Sequence, residues 1–390
     1  MKKILFALFT AALVVCFSSC SNGNGGEASV PETYTVTYLD GVNILEIAVP
    51  SDSTQYNAGD TVTVKFSDVG NRDYYTFAGW SDGTNSYTSG GTNTFTINSN
   101  VTLIAQWTCT WPYSYEGTKA STVAKEVGDI VFNDGSAMPY TIFSTLDTAE
   151  KNTKKAKAIA LIFYKGTGLN SDDSEGNAVT TTSRTLGVGL KHGIYSIDNT
   201  SYPWCNYSAN AMDIKITTIQ CQISGSSGAY TFTGDKNGSD NLEQIRDFLT
   251  ANGKTNDTTG SSATGSSGDF YYPAFYFGIN YKDINGSNVN GTAYETGWYL
   301  PSNAELYQIY ANGKGVNKIF DIDAASETLD GNKFESSWYQ SASQSEIRDR
   351  ANFIFNFTSG NEKFSATLKY YYCEVQHKYY YCVCCIREFN

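Results

Sequence analysis

The residues with the most chemical potential lie at the C-terminal end of the chain. Cys373, His377, Cys382 and Cys384 could be drawn together as a zinc site, because thiolates and imidazoles are the ligands zinc takes. Their spacing matches no common ligand knuckle, so no metal is expected there. Cys384 and Cys385 could form a reactive pair, but adjacent residues on a strand face opposite ways. Buried thiols are the simpler reading. His192 and His377 are the two histidines, which leaves little material for histidine-based catalysis. His192 has no visible acid or nucleophile partner and reads as a loop or core residue. No catalytic residue, metal or cofactor is expected, and the chain does not read as an enzyme.

Tyrosine is a different matter. Tyr370, Tyr371, Tyr372, Tyr379, Tyr380 and Tyr381 are six tyrosines in twelve positions. Lys369 to Cys373 and Lys378 to Cys382 repeat one Lys-Tyr-Tyr-Tyr-Cys string. A core strand cannot use three consecutive tyrosines, since the middle ring falls on the opposite face. Some phenols must be exposed or face a ligand. Tyrosine gives binding loops a large contact area with few rotors to freeze. The chemistry implied is recognition. The alternative is a tyrosine-rich edge hairpin with no partner.

These residues need a frame, and composition says which kind. Of 390 residues, 41% are hydrophobic, enough for packed cores. Charged residues are only 17%; glycine, serine, threonine, asparagine and tyrosine take their place, a mix that suits strands and turns. The net charge of −12 argues against nucleic acid as a partner.

The N-terminus reads as a secretion leader over residues 1–19. Lys2 and Lys3 are its basic start, Ile4 to Phe17 is apolar, and Ser18, Ser19 and Cys20 follow. Residues 20–32 are a Ser/Asn/Gly tether. Residues 33–108 alternate like short strands at Tyr34–Tyr38, Thr61–Phe66, Thr94–Ile97 and Val101–Trp107. Residues 109–118 read as a linker. Residues 119–390 read as one larger domain. In it, strands are expected at Ile130–Phe132 and Ala158–Phe163, and helices at Thr148–Ala156 and Leu242–Leu249. A capping box at Ser302–Glu305 opens a third helix that Gly313 closes. Thr255–Asp269 should be an exposed loop. Phe353, Phe355 and Phe357 should mark the single buried face of a strand.

Short strings along the chain carry three resemblances. Phe17-Ser18-Ser19-Cys20 resembles a relaxed bacterial lipobox, which implies cleavage before Cys20, lipid on its sulfur and an anchor in a bacterial outer membrane or cell surface. Tyr75-Thr76-Phe77-Ala78-Gly79-Trp80 and Val101 to Trp107 resemble the bacterial surface repeat of the internalin B type. That resemblance implies a small β-grasp-like module with Trp80 and Trp107 in its core. Gly128 to Gly135, Gly297 to Leu306, Trp338 to Ser343 and Cys385 to Phe389 resemble the C-type-lectin fold of the formylglycine-generating-enzyme subclass. Within it, the match is to treponemal variable lipoproteins diversified by a retroelement. The implied class is α+β, a β-grasp-like module followed by a C-type-lectin-like domain.

In that family the variable region, here about 338–382, is mutated at adenines. Such codons can give Tyr, Cys, His, Asp, Ser, Arg, Val and Asn, but not Trp, Gln, Glu or Lys. The rule admits Tyr339, Ser341, Ser343, Ser345, Arg348, Asp349, Arg350 and Asn352. It also admits Tyr370 to Cys373, Val375, His377 and Tyr379 to Cys382. It fixes Trp338, Lys369, Glu374, Gln376 and Lys378. The ligand contacts it implies are Tyr339, Ser341, Arg348, Asp349, Arg350, Asn352, Tyr370, Tyr371, Tyr372, Val375, His377, Tyr379, Tyr380 and Tyr381. The partner is an external protein or glycan. Two other readings are an oxidase of the formylglycine-generating type and a structural envelope lipoprotein.

Overall fold

The computed structural model describes residues 32–42, 46–91, 93–172, 180–194, 202–259, 271–334, 338–346, 351–358, 360–369 and 381–389. The leader, Cys20 and most of the tether lie outside them. The chain is mixed α+β, mostly sheet with a few helices, and divides after Thr110 into two compact units.

The first unit holds β1 (Thr33–Tyr34), β2 (Val36–Leu39), β3 (Tyr56–Asn57), β4 (Thr61–Thr63), β5 (Tyr75–Ser81), β6 (Ser86–Tyr87), β7 (Thr94–Thr96) and β8 (Val101–Cys109). A four-stranded sheet runs β2-β8-β5-β6, with β2 parallel to β8. Alternation decides its inner face. Val36, Tyr38, Leu103 and Ala105 point in, and Val62, Trp80 and Ile97 join them. The Trp80 indole donates to the Lys65 carbonyl at 2.8 Å. Trp107 is half-buried against the same core and donates to the Asp40 carbonyl at 2.9 Å. Gly79 sits at a bulge between β5 and β8. Its φ is +136°, and a Cβ there would meet the Tyr87 carbonyl at 2.2 Å, so only glycine fits before Trp80.

The second unit begins earlier than its sequence suggests. Most of residues 109–118 are not a linker. The Gly117 amide donates to Ser136 Oγ and the Thr118 amide to the Ala137 carbonyl, both at 2.8 Å, and Lys154 Nζ lies 3.9 Å from the Trp111 ring centroid. The segment is docked because its aromatic rings and backbone amides find partners on the larger unit.

Two sheets organise this unit. One is antiparallel in the order β10 (Ala137–Pro139), β9 (Asp129–Phe132), β11 (Ala158–Gly166), β12 (Arg184–Gly189), β19 (Ile386–Glu388). The C-terminal strand thus closes an edge against a strand some two hundred residues earlier. The other runs β14 (Thr231–Gly234), β13 (Gln220–Ser224), β15 (Trp338–Ser345), β16 (Ala351–Asn356), β17 (Lys363–Leu368), and β18 (Tyr381–Cys382) pairs parallel to β15. The helices are α1 (Tyr140–Thr145), α2 (Thr148–Lys155), α3 (Asn241–Ala251), α4 (Pro273–Ile279), α5 (Asn303–Gly313) and α6 (Ile322–Thr328). α5 opens on the Ser302–Glu305 capping box. Ile159, Ile162, Trp204, Ile245, Phe275 and Trp298 belong to one continuous core.

Two expectations need correction here. β16 is buried on both faces, since Ile354 and Asn352 are as enclosed as Phe353 and Phe355. A central strand covered on each side shows no alternation. The 255–269 loop is not wholly exposed, because Asp257 is buried and accepts from Tyr272 Oη and the Asn210 amide, both at 2.7 Å.

Candidate functional site

The two ends of the tyrosine-rich stretch are fixed in the core. Lys369 is fully buried. Its Nζ donates to the carbonyls of Ala211 at 3.1 Å and Ile214 at 2.7 Å and lies 5.0 Å from the Trp204 ring centroid. Its own carbonyl accepts from the Cys205 amide at 3.0 Å. A buried ammonium needs such acceptors, and carbonyls plus an aromatic face supply them. At the other end, Tyr381 pairs with Trp338 in the ladder, and its hydroxyl meets Thr367 Oγ1 at 2.7 Å. Val383 then exchanges two backbone bonds with Gly193.

Four expected contact residues are not on a surface. Tyr339, Ser341 and Asn352 are fully buried and Tyr381 is nearly so. Tyr339 Oη lies 3.0 Å from His192 Nδ1, and its ring packs on Phe334 and Phe357. Ser341 Oγ accepts from the Ser343 amide at 3.1 Å. Asn352 Nδ2 donates to Gln340 Oε1 at 2.7 Å. For Tyr339 and Ser341 the cause is the position of β15, which has β16, β13 and β18 along its edges and packs against α3 and α5; Asn352 on β16 and Tyr381 on β18 lie on strands paired with it. A strand so enclosed presents neither face to a ligand. Arg348, Asp349, Arg350, Tyr370, Tyr371, Tyr372, Val375, His377, Tyr379 and Tyr380 lie outside the described residues, as do Cys20 and Cys373.

Among the described cysteines, Cys205, Cys221, Cys382, Cys384 and Cys385 are buried and Cys109 is half-buried, and Cys205, Cys221, Cys384 and Cys385 are in no disulfide. Burial pushes the thiols of Cys205, Cys221, Cys384 and Cys385 up, away from the thiolate that nucleophilic chemistry uses. Among the described residues, no group of three or more His, Cys, Asp or Glu is placed to hold a metal.

The buried polar groups that sequence reasoning missed centre on Asp235 and Glu305. Asp235 Oδ2 accepts from Ser343 Oγ at 2.7 Å and Asn241 Nδ2 at 2.8 Å. Glu305 Oε2 accepts from the amides of Ser302 at 2.8 Å and Gly238 at 3.0 Å. Its Oε1 accepts from Tyr299 Oη at 2.9 Å and Arg184 Nη1 at 3.0 Å. The capping box was visible in the sequence. The arginine 121 positions away was not. Beside Asp235 opens a polar cavity of about 710 Å³ between β13, β14 and the start of α3.

Two buried groups titrate in opposite senses. Burial pushes the Asp235 carboxyl up to about 7, against the pull of hydrogen bonds from Asn241 and Ser343. Burial pushes His192 down to about 3. Between its ordinary 3.8 and about 7, folded Asp235 holds a proton that the unfolded chain has lost. Its contribution to stability therefore falls as pH rises. Between about 3 and the ordinary 6.5, unfolded His192 binds a proton that the folded chain does not, so its contribution rises with pH. Each shift is worth on the order of 4 kcal/mol, so the two nearly cancel. We expect Asp235→Asn to uncover the histidine limb, with stability relative to the parent chain rising from pH 4 to 6.5. His192→Gln should uncover the falling limb. Urea denaturation across pH measures both, and parallel profiles for the parent and the two variants would contradict the assignment.

Compared with known proteins, the chain matches no family model, no curated protein and no solved structure.

Proposed function

We propose that this is a lipid-anchored bacterial surface protein that recognises an external protein or glycan ligand and performs no chemistry. In this reading the first unit is a β-grasp-like spacer. The second is a C-type-lectin-like domain of the formylglycine-generating-enzyme subclass. It presents a tyrosine-rich segment diversified by a retroelement. Cys20 carries the lipid that holds the protein at the outer membrane or cell surface.

One observation carries the reading. The residues bracketing the tyrosine-rich stretch, Lys369 and Tyr381, are both held in the core by hydrogen bonds and packing. A stretch whose ends are fixed can change its sequence while the frame stays, which is how binding loops work on rigid scaffolds. The burial of Tyr339, Ser341, Asn352 and Tyr381 narrows the proposed contacts to Arg348, Asp349, Arg350, Tyr370, Tyr371, Tyr372, Val375, His377, Tyr379 and Tyr380. A substitution at Ser343 would strip a partner from buried Asp235, so that position is a poor one to vary. The thiols of Cys205, Cys221, Cys384 and Cys385, which burial keeps protonated, favour recognition over the oxidase alternative.

The test is genomic and biochemical. A second near-copy of the sequence encoding residues 338–382, differing at adenines and lying beside a reverse-transcriptase gene, is expected. Its absence would remove the diversification. Detergent phase partitioning should recover the parent protein in the detergent phase and Cys20→Ala in the aqueous phase. Equal recovery would remove the anchor.

A further inference from the structure

The polar cavity beside Asp235 lies outside the segment assigned to recognition above. Its volume of about 710 Å³ is within the range of small-molecule sites, about 300–1,000 Å³. Its walls come from separate parts of the chain. Gln222 and Thr233 face each other across β13 and β14, Thr218 precedes β13, and Gln244 lies on α3.

The lining selects a chemical class. Among the described residues no aromatic or aliphatic side chain lines the cavity, which disfavours an apolar ligand. Among the described residues the lining holds acidic side chains and no basic one, which disfavours an anion. The two inner carboxylates are already engaged. Asp172 accepts from Lys236 Nζ at 2.5 Å and the Gly234 amide at 3.1 Å. Asp235 is held by Asn241 and Ser343. They are therefore poor ligands for a cation. Besides Asp240 and Glu346, the lining presents neutral polar groups, among them the primary amides of Gln222 and Gln244 and the hydroxyls of Thr218 and Thr233. Each such group offers a donor and an acceptor together, the complement of a hydroxyl group. The threonine methyls give a C–H surface between them. We propose that this cavity is a second binding site, for a neutral, hydroxyl-rich molecule of the saccharide class.

The site can be tested on the full mature chain with a panel of glucose, galactose, mannose, N-acetylglucosamine and their disaccharides. Spermidine and citrate serve as cationic and anionic probes. Titration calorimetry and saturation-transfer NMR read the binding. Gln222 and Thr233 are exposed, so the Gln222→Ala/Thr233→Ala double variant should keep the parent melting temperature. We expect at least one sugar to bind, at least tenfold more weakly to the double variant and not at all to Thr218→Trp, which fills the cavity. Replacing Tyr370, Tyr372 and Tyr380 by Ala should leave the sugar affinity unchanged. The assignment is overturned if no sugar of the panel binds, if the cavity variants bind as the parent does, or if spermidine or citrate binds in the sugar's place. It is also overturned if the tyrosine variants lose the sugar, which would put it on the tyrosine-rich segment and leave the recognition reading standing alone.

Discussion

Glu305→Ala is expected to lower the stability of the second unit by about 3–5 kcal/mol, the range for removing one partner of a buried ion pair. Four groups lose their acceptor at once. Arg184 keeps a charge that is 4% exposed, with Glu388 at 3.3 Å as the remaining counter-ion among the described residues. The amides of Ser302 and Gly238 lose the carboxylate that caps the start of α5. Tyr299 loses its acceptor as well. For a unit of this size the melting temperature should fall by about 10 °C. Glu305→Gln keeps the shape and an acceptor for the amides, so it should lie between the parent and the alanine variant. Adding Arg184→Met to Glu305→Ala should recover part of the loss, because it removes the uncompensated charge. A thermal melt of Glu305→Ala within about 1 kcal/mol of the parent would show that the cluster does not hold the unit together.

The second large effect separates frame from display. Trp298→Ala and Tyr339→Ala should each cost about 3–5 kcal/mol, the usual range for truncating a buried aromatic residue. Trp298 packs on Tyr281 and Phe389 and donates to the Tyr294 carbonyl at 2.7 Å. Tyr339 joins Phe334, Phe357 and His192 in one cluster. Tyr339→Phe keeps the packing and should cost about 1 kcal/mol for the lost hydrogen bond. Tyr370→Ala, Tyr372→Ala and Tyr380→Ala should each change stability by no more than about 0.5 kcal/mol. Chemical denaturation of the set decides between the two roles. If the tyrosine-run variants unfold as early as Tyr339→Ala, the run belongs to the core and the recognition reading loses its physical support.

Trp338 shows how the same residue type reads differently by position. The codon rule fixes it, yet it is only half-buried, whereas Trp298 is buried, and Lys363 Nζ lies 5.7 Å from its ring centroid. It sits at the start of β15, where the strand leaves the packed interior.

What the amino-acid sequence determined by itself was local. The helices at Thr148–Lys155 and Asn241–Ala251, the strand at Ala158–Gly166 and the capping box at Ser302 were legible, because capping, periodicity and apolar runs act over a few residues. So was the break between a small β-module and a larger α+β unit, although its position was missed by the aromatic residues of 111–118. The tertiary structure alone decided which face of each element is covered. Tyr339, Ser341 and Asn352 fit a codon rule for variable positions, yet they lie on β15 and β16, inside a sheet whose strands come from separate stretches of the chain. The same holds for Asp235, whose partners Asn241 and Ser343 come from a helix and from a strand 108 residues away. Burial and buried charge are properties of long-range contacts, and no window of sequence contains both sides of them.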